Sequence, residues 1–146
     1  MAISATPQGT LNRIRASVIF PFFPSLSVTS SFLSKRGITI TFAGKSTVFL
    51  DTMTGRVTSP EPYLAVMITM HLVKSQYLAN SYKRQQELLT LLGDCVFRPD
   101  AATLQPYSFT NCAIEAAPPS VDASGADADF PVEIGGTYLV NSALFI

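Results

Sequence analysis

The stretch that decides the fold is residues 75–93, SQYLANSYKRQQELLTLLG. Apolar side chains recur in it at steps of three and four, a spacing that places them on one face of a helix. With one glutamine among them, these residues are Leu78, Tyr82, Gln85, Leu89 and Leu92. The opposite face is charged or polar, and the stretch contains no proline. The pattern predicts one amphipathic α-helix from Ser75 to Leu92.

Both ends of this helix carry residues that are typical of helix termini. The Ser75 hydroxyl can accept a backbone N–H bond at the start, and Gly93 can adopt the left-handed conformation that ends a helix. Leu89 lies in the middle of the apolar stripe, so we expect it in the core. The rest of the chain reads as strand and turn. A lone amphipathic helix in a β-protein is expected to cover a sheet face or barrel mouth.

The strands are predicted from alternation and from β-branched or aromatic content. Residues 63–73 give the strongest pattern, with a core face that consists of Leu64, Val66, Ile68, Met70 and Leu72. The other predicted strands are residues 14–23, 26–30, 38–42, 47–51, 94–98, 107–116 and 130–146. The turns and loops are placed at Arg36-Gly37, at 43–45, and at 52–62 and 117–129, and Gly135-Gly136 indicates a bulge or a close backbone approach. The predicted fold is mainly β: an antiparallel β-barrel or sandwich with one flanking α-helix.

Composition bounds the class of protein. The chain has 146 residues, of which 47% are hydrophobic and 14% charged, and ten basic side chains balance ten acidic ones. This is well below the roughly 25% charge of an average soluble domain, which favours surfaces buried by self-assembly. A neutral chain has no general affinity for nucleic acid or acidic membranes. We predict a single domain over residues 1–146, with residues 1–12 as an N-terminal arm, and find neither a signal-peptide pattern nor a membrane helix.

No group of residues indicates catalysis or a cofactor. Cys95 and Cys112 lie in apolar strands and read as core side chains, although a disulfide is possible in principle. His71, the single histidine, has no catalytic partner nearby in sequence, and an interface or surface position is expected. Gly44-Lys45-Ser46 lacks the preceding glycine of a phosphate-binding loop. The aspartates of residues 122–129 do not match an EF-hand. We therefore expect no enzyme, no metal and no cofactor.

The order of elements resembles the tail tube proteins of contractile-tailed bacteriophages. The resemblance covers the chain from Leu11 onward and depends chiefly on residues 74–86, KSQYLANSYKRQQ, and residues 129–141, DFPVEIGGTYLVN. It implies a β-barrel or sandwich with one helix, whose subunits form hexameric rings. The rings stack into a hollow inner tube within a contractile sheath, and phage DNA passes through the lumen without specific binding. The resemblance implies no catalytic residue.

The expected partners follow from this resemblance. They are further copies of the chain, the tail sheath protein, and the baseplate, tape-measure and tail-terminator proteins. The protein would be assembled in the host bacterial cytoplasm and reside in the virion tail. We expect contacts between subunits or rings from the loop residues Arg56, Ser59, Glu61, Asp122, Asp127 and Asp129. Two alternatives remain open: a baseplate tube initiator or secretion-system tube protein, and a monomeric β-barrel that binds a small apolar ligand.

Overall fold

The computed structural model describes residues 9–101, 103–116 and 129–144. Within them the chain is mainly β, with a single α-helix, as predicted. In chain order the elements are β1 (Ser17–Ile19), β2 (Leu33–Ala43), β3 (Thr47–Asp51), β4 (Arg56–Pro60), β5 (Tyr63–Val73), α1 (Tyr77–Leu88), β6 (Leu91–Arg98), β7 (Tyr107–Ile114) and β8 (Asp129–Leu139). Short 3₁₀ helices lie at Arg13–Arg15, Pro24–Leu26, Ser30–Phe32 and Ser142–Leu144.

Six strands form one curled antiparallel sheet, a half-barrel, in the order β1-β6-β7-β8-β5-β2. The remaining two strands, β3 and β4, pair with each other as a separate hairpin. The central pair is β5 with β8, which stay in register over eleven residue pairs from Tyr63↔Leu139 to Val73↔Asp129. The other strands of the sheet extend from this long regular pair, with β2 beside β5 and β7 beside β8.

The core lies on one face of this sheet and confirms the predicted face of β5. Val66, Ile68, Met70 and Leu72 are buried, whereas the alternate side chains of β5 are only partly covered or exposed. The strand neighbours Val132 and Ile134 continue the buried face on β8. The alternation of side chains along β5 thus separates a buried face from a more exposed one, as the sequence pattern predicts.

The helix is shorter than predicted. It ends at Leu88, and the last two leucines of the predicted stretch lie in strand β6, where Leu92 is fully buried. Leu89 is 47% exposed, so its expected place in the core is wrong. The reason is that β6 pairs with β7 through Leu91 and Ala113, and this ladder competes successfully with helix propensity. The helix contributes Leu78, Ala79 and Tyr82 to the core.

Neither predicted helix end has its expected role. The residue before the first helical turn is Gln76, which makes no side-chain capping bond, rather than Ser75. Gly93 lies within β6 with φ +78, at an interruption of the β6–β7 register. A Cβ atom at Gly93 would come within 2.7 Å of the Phe22 ring, so both the backbone conformation and the close approach require glycine there.

The N-terminal strands are shorter than predicted. Only Ser17–Ile19 of residues 14–23 is strand, and residues 26–30 form no strand, since Val28 makes an isolated bridge to Val18 between two 3₁₀ helices. Pro21 and Pro24 interrupt the ladder, because proline lacks a backbone donor. The expected arm is partly docked on its own chain, where Asn12 N donates to Asp100 O at 2.9 Å. Its first eight residues lie outside the described part of the chain.

Three loop predictions also change. Residues 52–62, predicted as a loop, contain β4, so only residues 52–55 and 61–62 connect strands. Arg36-Gly37 does not form a turn but lies within β2, where the register with β5 shifts between Leu33 and Ile38. Asp129 belongs to β8, and the rest of the predicted loop, residues 117–128, lies outside the described residues. Strand β8 ends at Leu139 rather than continuing to the C-terminus.

The close approach predicted at Gly135-Gly136 is present. A Cβ atom at Gly136 would lie 2.9 Å from Cys112 Sγ and 3.3 Å from Val66 Cγ1, so only glycine fits between these neighbours. The bulge itself is on the facing strand β7, whose register with β8 shifts between Thr110 and Ala113 and where Asn111 has φ +53. Asparagine tolerates this left-handed conformation better than most residues.

Candidate assembly surface

The β3–β4 hairpin exposes apolar side chains on both of its faces. Directly opposed residues share a face, so Leu50 and Val57 lie together on one side, while Phe49 lies on the other. All three are about half exposed, and Met53 in the turn is fully exposed. An isolated two-stranded hairpin is at best marginally stable in water. Its exposed apolar surface is therefore of the kind that a partner would cover.

Arg56 lies on the Phe49 face of this hairpin. Its guanidinium is 3.2 Å from Asp51 Oδ1 and its Cζ atom is 4.5 Å from the centre of the Phe49 ring. Both partners are exposed, so the ion pair contributes little to stability. The arrangement nevertheless holds a charged head over an apolar ring at the surface. The predicted contact residue Arg56 thus lies at the surface of the hairpin, and its contact with a neighbour stays a prediction.

The base of the hairpin is fixed to the end of β8 by Asn141. Its Nδ2 atom donates to Ser46 O at 2.9 Å and to Glu61 O at 2.8 Å, and Glu61 N donates to Ser46 O at 2.9 Å. Asn141 has φ +54. The predicted contact residue Glu61 therefore lies at the anchor, and Ser59, opposite Val48 in the hairpin, is half-buried. The sequence analysis did not predict the anchoring role of Asn141. The turn from Thr52 to Gly55 was the sequence signal that could have predicted the hairpin.

Strand β2 forms one edge of the six-stranded sheet. It is eleven residues long, and several of its side chains from Thr39 to Ala43 are exposed. A long edge presents unpaired N–H and C=O groups, which can pair with a strand from another chain. The edge and the hairpin follow one another directly in sequence, and each offers a surface suited to self-association.

Part of the outer face of the sheet, opposite the core, is lined by threonine and small residues, with Met67 and Glu133. Three cross-strand rows follow from the register: Thr39, Thr69 and Glu133; Thr41, Met67, Gly135 and Ala113; and Ala43, Ala65, Thr137 and Thr110. These rows contain no lysine or arginine. A surface of this composition would not hold the phosphates of nucleic acid, because phosphate binding depends on basic side chains.

Asp129 has a different environment from the one predicted. Its side chain is only 10% exposed; Ser34 Oγ donates to Oδ1 at 3.2 Å, and His71 Nδ1 lies 2.9 Å from Oδ2. Arg36 approaches the same carboxylate at 3.6 Å. This cluster joins β2, β5 and β8. Since Ser34 is bonded to the aspartate and not to the histidine, the order of groups is not that of a nucleophile activated by a base. The other two predicted aspartates, Asp122 and Asp127, lie outside the described residues.

A cleft of about 470 Å³ lies between the shifted part of β2 and the N-terminal segment. Its apolar wall is formed by Ile14, Leu33, Ile38 and Phe97, and Lys35, Arg36 and Asp100 also line it. Clefts of this size are large enough for a small ligand. The cleft therefore favours the alternative in which the chain is a monomeric barrel that binds a small ligand.

Three buried titratable groups lie together in the core. Burial, and to a lesser extent Cys95, raise the pKa of Tyr82 well above its usual 10.0. A hydrogen bond between the two thiols raises the pKa of Cys95, as does burial, and lowers the pKa of Cys112. Across the described residues no set of three or more histidine, cysteine or acidic side chains is grouped as metal ligands would be. In that same part of the chain, no helix is long and apolar enough to cross a membrane.

Comparison with models of known protein families gives no match, and comparison with curated proteins gives none either.

Proposed function

We propose that this chain is a structural subunit that assembles through its hairpin and β2 edge into rings stacked as a hollow tube. The observation that carries the proposal is the β3–β4 hairpin, which exposes Leu50, Val57 and Phe49 to solvent in a single chain. Burial of these side chains by a neighbour would contribute roughly 25 cal/mol per Å² of apolar surface. The resemblance to phage tail tube proteins supports the same conclusion from the sequence.

The two kinds of surface suit two different contacts. An edge strand such as β2 can pair with a neighbouring subunit within a ring, which removes the unpaired edge. A projecting hairpin can contact the next ring, and such a head-to-tail contact generates an open-ended polymer. Arg56 and Met53 would then contribute to stacking, and Ser59 and Glu61 would hold the hairpin base. The contacts of Asp122 and Asp127 stay predictions.

The part of the outer face that carries the three cross-strand rows is the proposed lining of the lumen. Its three rows offer threonine hydroxyls, methyl groups and Glu133, with no basic side chain. A channel of this composition would let DNA pass without gripping its phosphates. In this proposal the tube lies inside a contractile sheath, its further partners are the baseplate, tape-measure and tail-terminator proteins, and it is assembled in the bacterial cytoplasm. A tube initiator or a secretion-system tube would use the same surfaces.

Negative-stain electron microscopy of the purified protein over a range of concentrations tests this proposal. We expect rings or hollow tubes that become more abundant with concentration. A compact monomer at every concentration would overturn it.

The cleft beside β2 favours a second candidate function, the binding of a small apolar ligand by a monomer. Its walls of Ile14, Leu33, Ile38 and Phe97 are suited to an apolar molecule. The same microscopy discriminates between the candidates, because a ligand-binding barrel would remain monodisperse.

A further inference from the structure

Two free cysteines face each other inside the sheet. Cys95 on β6 is 0% exposed and Cys112 on β7 is 1% exposed. Their positions are diagonal on paired strands, since Gly93 is opposite Cys112 and Cys95 is opposite Phe109. The two thiols interact, since each of them shifts the pKa of the other. A disulfide would join β6 to β7 once the two side chains bring their sulfur atoms to about 2.05 Å.

The position of the Cys112 sulfur is constrained by its surroundings. Gly136 on β8 leaves room for the Cys112 sulfur, because a Cβ atom at position 136 would lie only 2.9 Å from it. The same sulfur lies 3.9 Å from the carbonyl oxygen of Thr110. These close contacts with Gly136 of β8 and with the backbone of β7 restrict the space that is available to the thiol.

The strands around the pair are interrupted in a way that favours local opening. The β6–β7 register shifts on both sides of Gly93, and the β7–β8 register shifts between Thr110 and Ala113. Bulges of this kind disrupt the ladder of hydrogen bonds. Segments with fewer ladder bonds open at lower free energy than the whole fold, which gives a reagent access to buried thiols.

We propose that Cys95 and Cys112 form a reversible dithiol–disulfide pair that a small-molecule disulfide, such as oxidised glutathione, converts into a covalent bond between β6 and β7. In the first step the Cys112 thiolate attacks one glutathione sulfur, a mixed disulfide forms, and one glutathione thiolate leaves. In the second step the Cys95 thiolate attacks the Cys112 sulfur and expels the second glutathione. The protein loses two electrons and two protons, and one glutathione disulfide becomes two thiols.

The order of the two steps follows from the environment of each sulfur. The hydrogen bond from the Cys95 thiol lowers the pKa of Cys112, and thiolates are the attacking species. The same interaction, with burial, raises the pKa of Cys95, so Cys95 is the resolving thiol. This inference does not depend on the proposed assembly, because both sulfur atoms belong to one chain.

The test is oxidation of the native protein in glutathione buffers of increasing oxidised fraction, followed by alkylation in denaturant and intact-mass measurement. We expect the two alkylation sites of the wild type to disappear together, with a loss of two hydrogens and no retained glutathione. The variant Cys95→Ser should instead accumulate one glutathione adduct on Cys112, because its resolving thiol is gone. Cys112→Ser should react more slowly. Circular dichroism of the variants checks that they are folded.

Urea unfolding of the oxidised protein supplies a second readout. A bond between native neighbours restricts the unfolded chain, so the unfolding equilibrium constant should fall on the order of 100-fold. The proposal is overturned if both wild-type thiols remain alkylatable in every native buffer. It is equally overturned if the bond forms only in denaturant, or if oxidation lowers the urea midpoint.

Discussion

Asn141 Nδ2 donates to the carbonyl oxygen of Glu61 at 2.8 Å, which ties the segment after β8 to the base of the β3–β4 hairpin. The same amide nitrogen reaches Ser46 O at 2.9 Å on the other side of the base. One side chain thus bridges the two ends of a hairpin that pairs only with itself. The direction in which the hairpin projects therefore depends on a residue some eighty positions later in the chain.

We predict that Asn141→Ala lowers the free energy of unfolding by about 1–3 kcal/mol. It removes both hydrogen bonds and places alanine at φ +54, a conformation that is unfavourable for residues with a Cβ atom. Asn141→Gly also loses the bonds but accepts the conformation, so it should be less destabilised than alanine by about 1 kcal/mol. Urea unfolding measures both. Equal losses in the two variants would show that the backbone conformation contributes nothing.

The corrected end of α1 gives a second prediction. Leu78 is 1% exposed whereas Leu89 is 47% exposed. Leu78→Ala should therefore cost about 2–5 kcal/mol, because it leaves a cavity in the core. Leu89→Ala should cost less than about 1 kcal/mol. Thermal or denaturant unfolding of the matched pair is the measurement, and a larger loss at Leu89 would restore the longer helix predicted from sequence.

That difference shows where sequence patterns were sufficient and where they were not. β3 and β5 have their predicted bounds, because a clear alternation or β-branched run lies between turn residues. Residues 89–92 satisfy a helical stripe equally well, but pairing with β7 draws Leu91 and Leu92 into a strand. A stripe of leucines does not show which strand is available for pairing, so the pairing with β7 decided that these residues form a strand and not a helix.

The assembly surface was predictable only in part. Residues 52–62 contain two prolines and polar residues, which are typical of loops, yet Arg56–Pro60 pairs with β3. Thr52 N donates to Gly55 O at 2.7 Å, and a threonine-to-glycine turn between two short strands was the signal for a hairpin. The anchoring role of Asn141 and the cluster around Asp129 depend on contacts distant in sequence, which periodicity cannot predict.

The third prediction concerns Tyr82, whose buried hydroxyl donates to the carbonyl oxygen of Leu26. Burial raises its pKa above the usual 10.0, so the unfolded chain loses this proton at lower pH than the folded chain. The contribution of Tyr82 to stability is therefore constant below about pH 10 and decreases as pH rises beyond it. Unfolding measured between neutral and alkaline pH should show this decrease.

Tyr82→Phe is the control for the alkaline effect. It leaves the Leu26 carbonyl without its tyrosine donor, so it should be less stable at neutral pH by about 1–3 kcal/mol. Since phenylalanine cannot ionise, the variant should also lose less stability than the wild type between pH 9 and 11. An identical alkaline decrease in both proteins would mean that other groups cause it.

The central claim of self-assembly predicts that the hairpin is needed for polymers but not for folding. Leu50→Asp with Val57→Asp places two carboxylates on one hairpin face, opposite each other. A buried contact would not tolerate these unpaired charges. Leu88→Asp is the matched control, because Leu88 is an exposed leucine at the end of α1, away from the hairpin in sequence. Circular dichroism should show that both variants keep the wild-type fold.

Sedimentation velocity of wild type, hairpin variant and Leu88→Asp over the same concentration range, with microscopy of the pelleted material, tests the account most directly. We predict large, concentration-dependent tubes for wild type and Leu88→Asp, and a folded species no larger than a single ring for the Leu50→Asp, Val57→Asp variant. Stacking of the hairpin variant into tubes at wild-type concentrations would contradict the role of the hairpin, and a wild type that remains monomeric throughout would contradict the tube subunit itself.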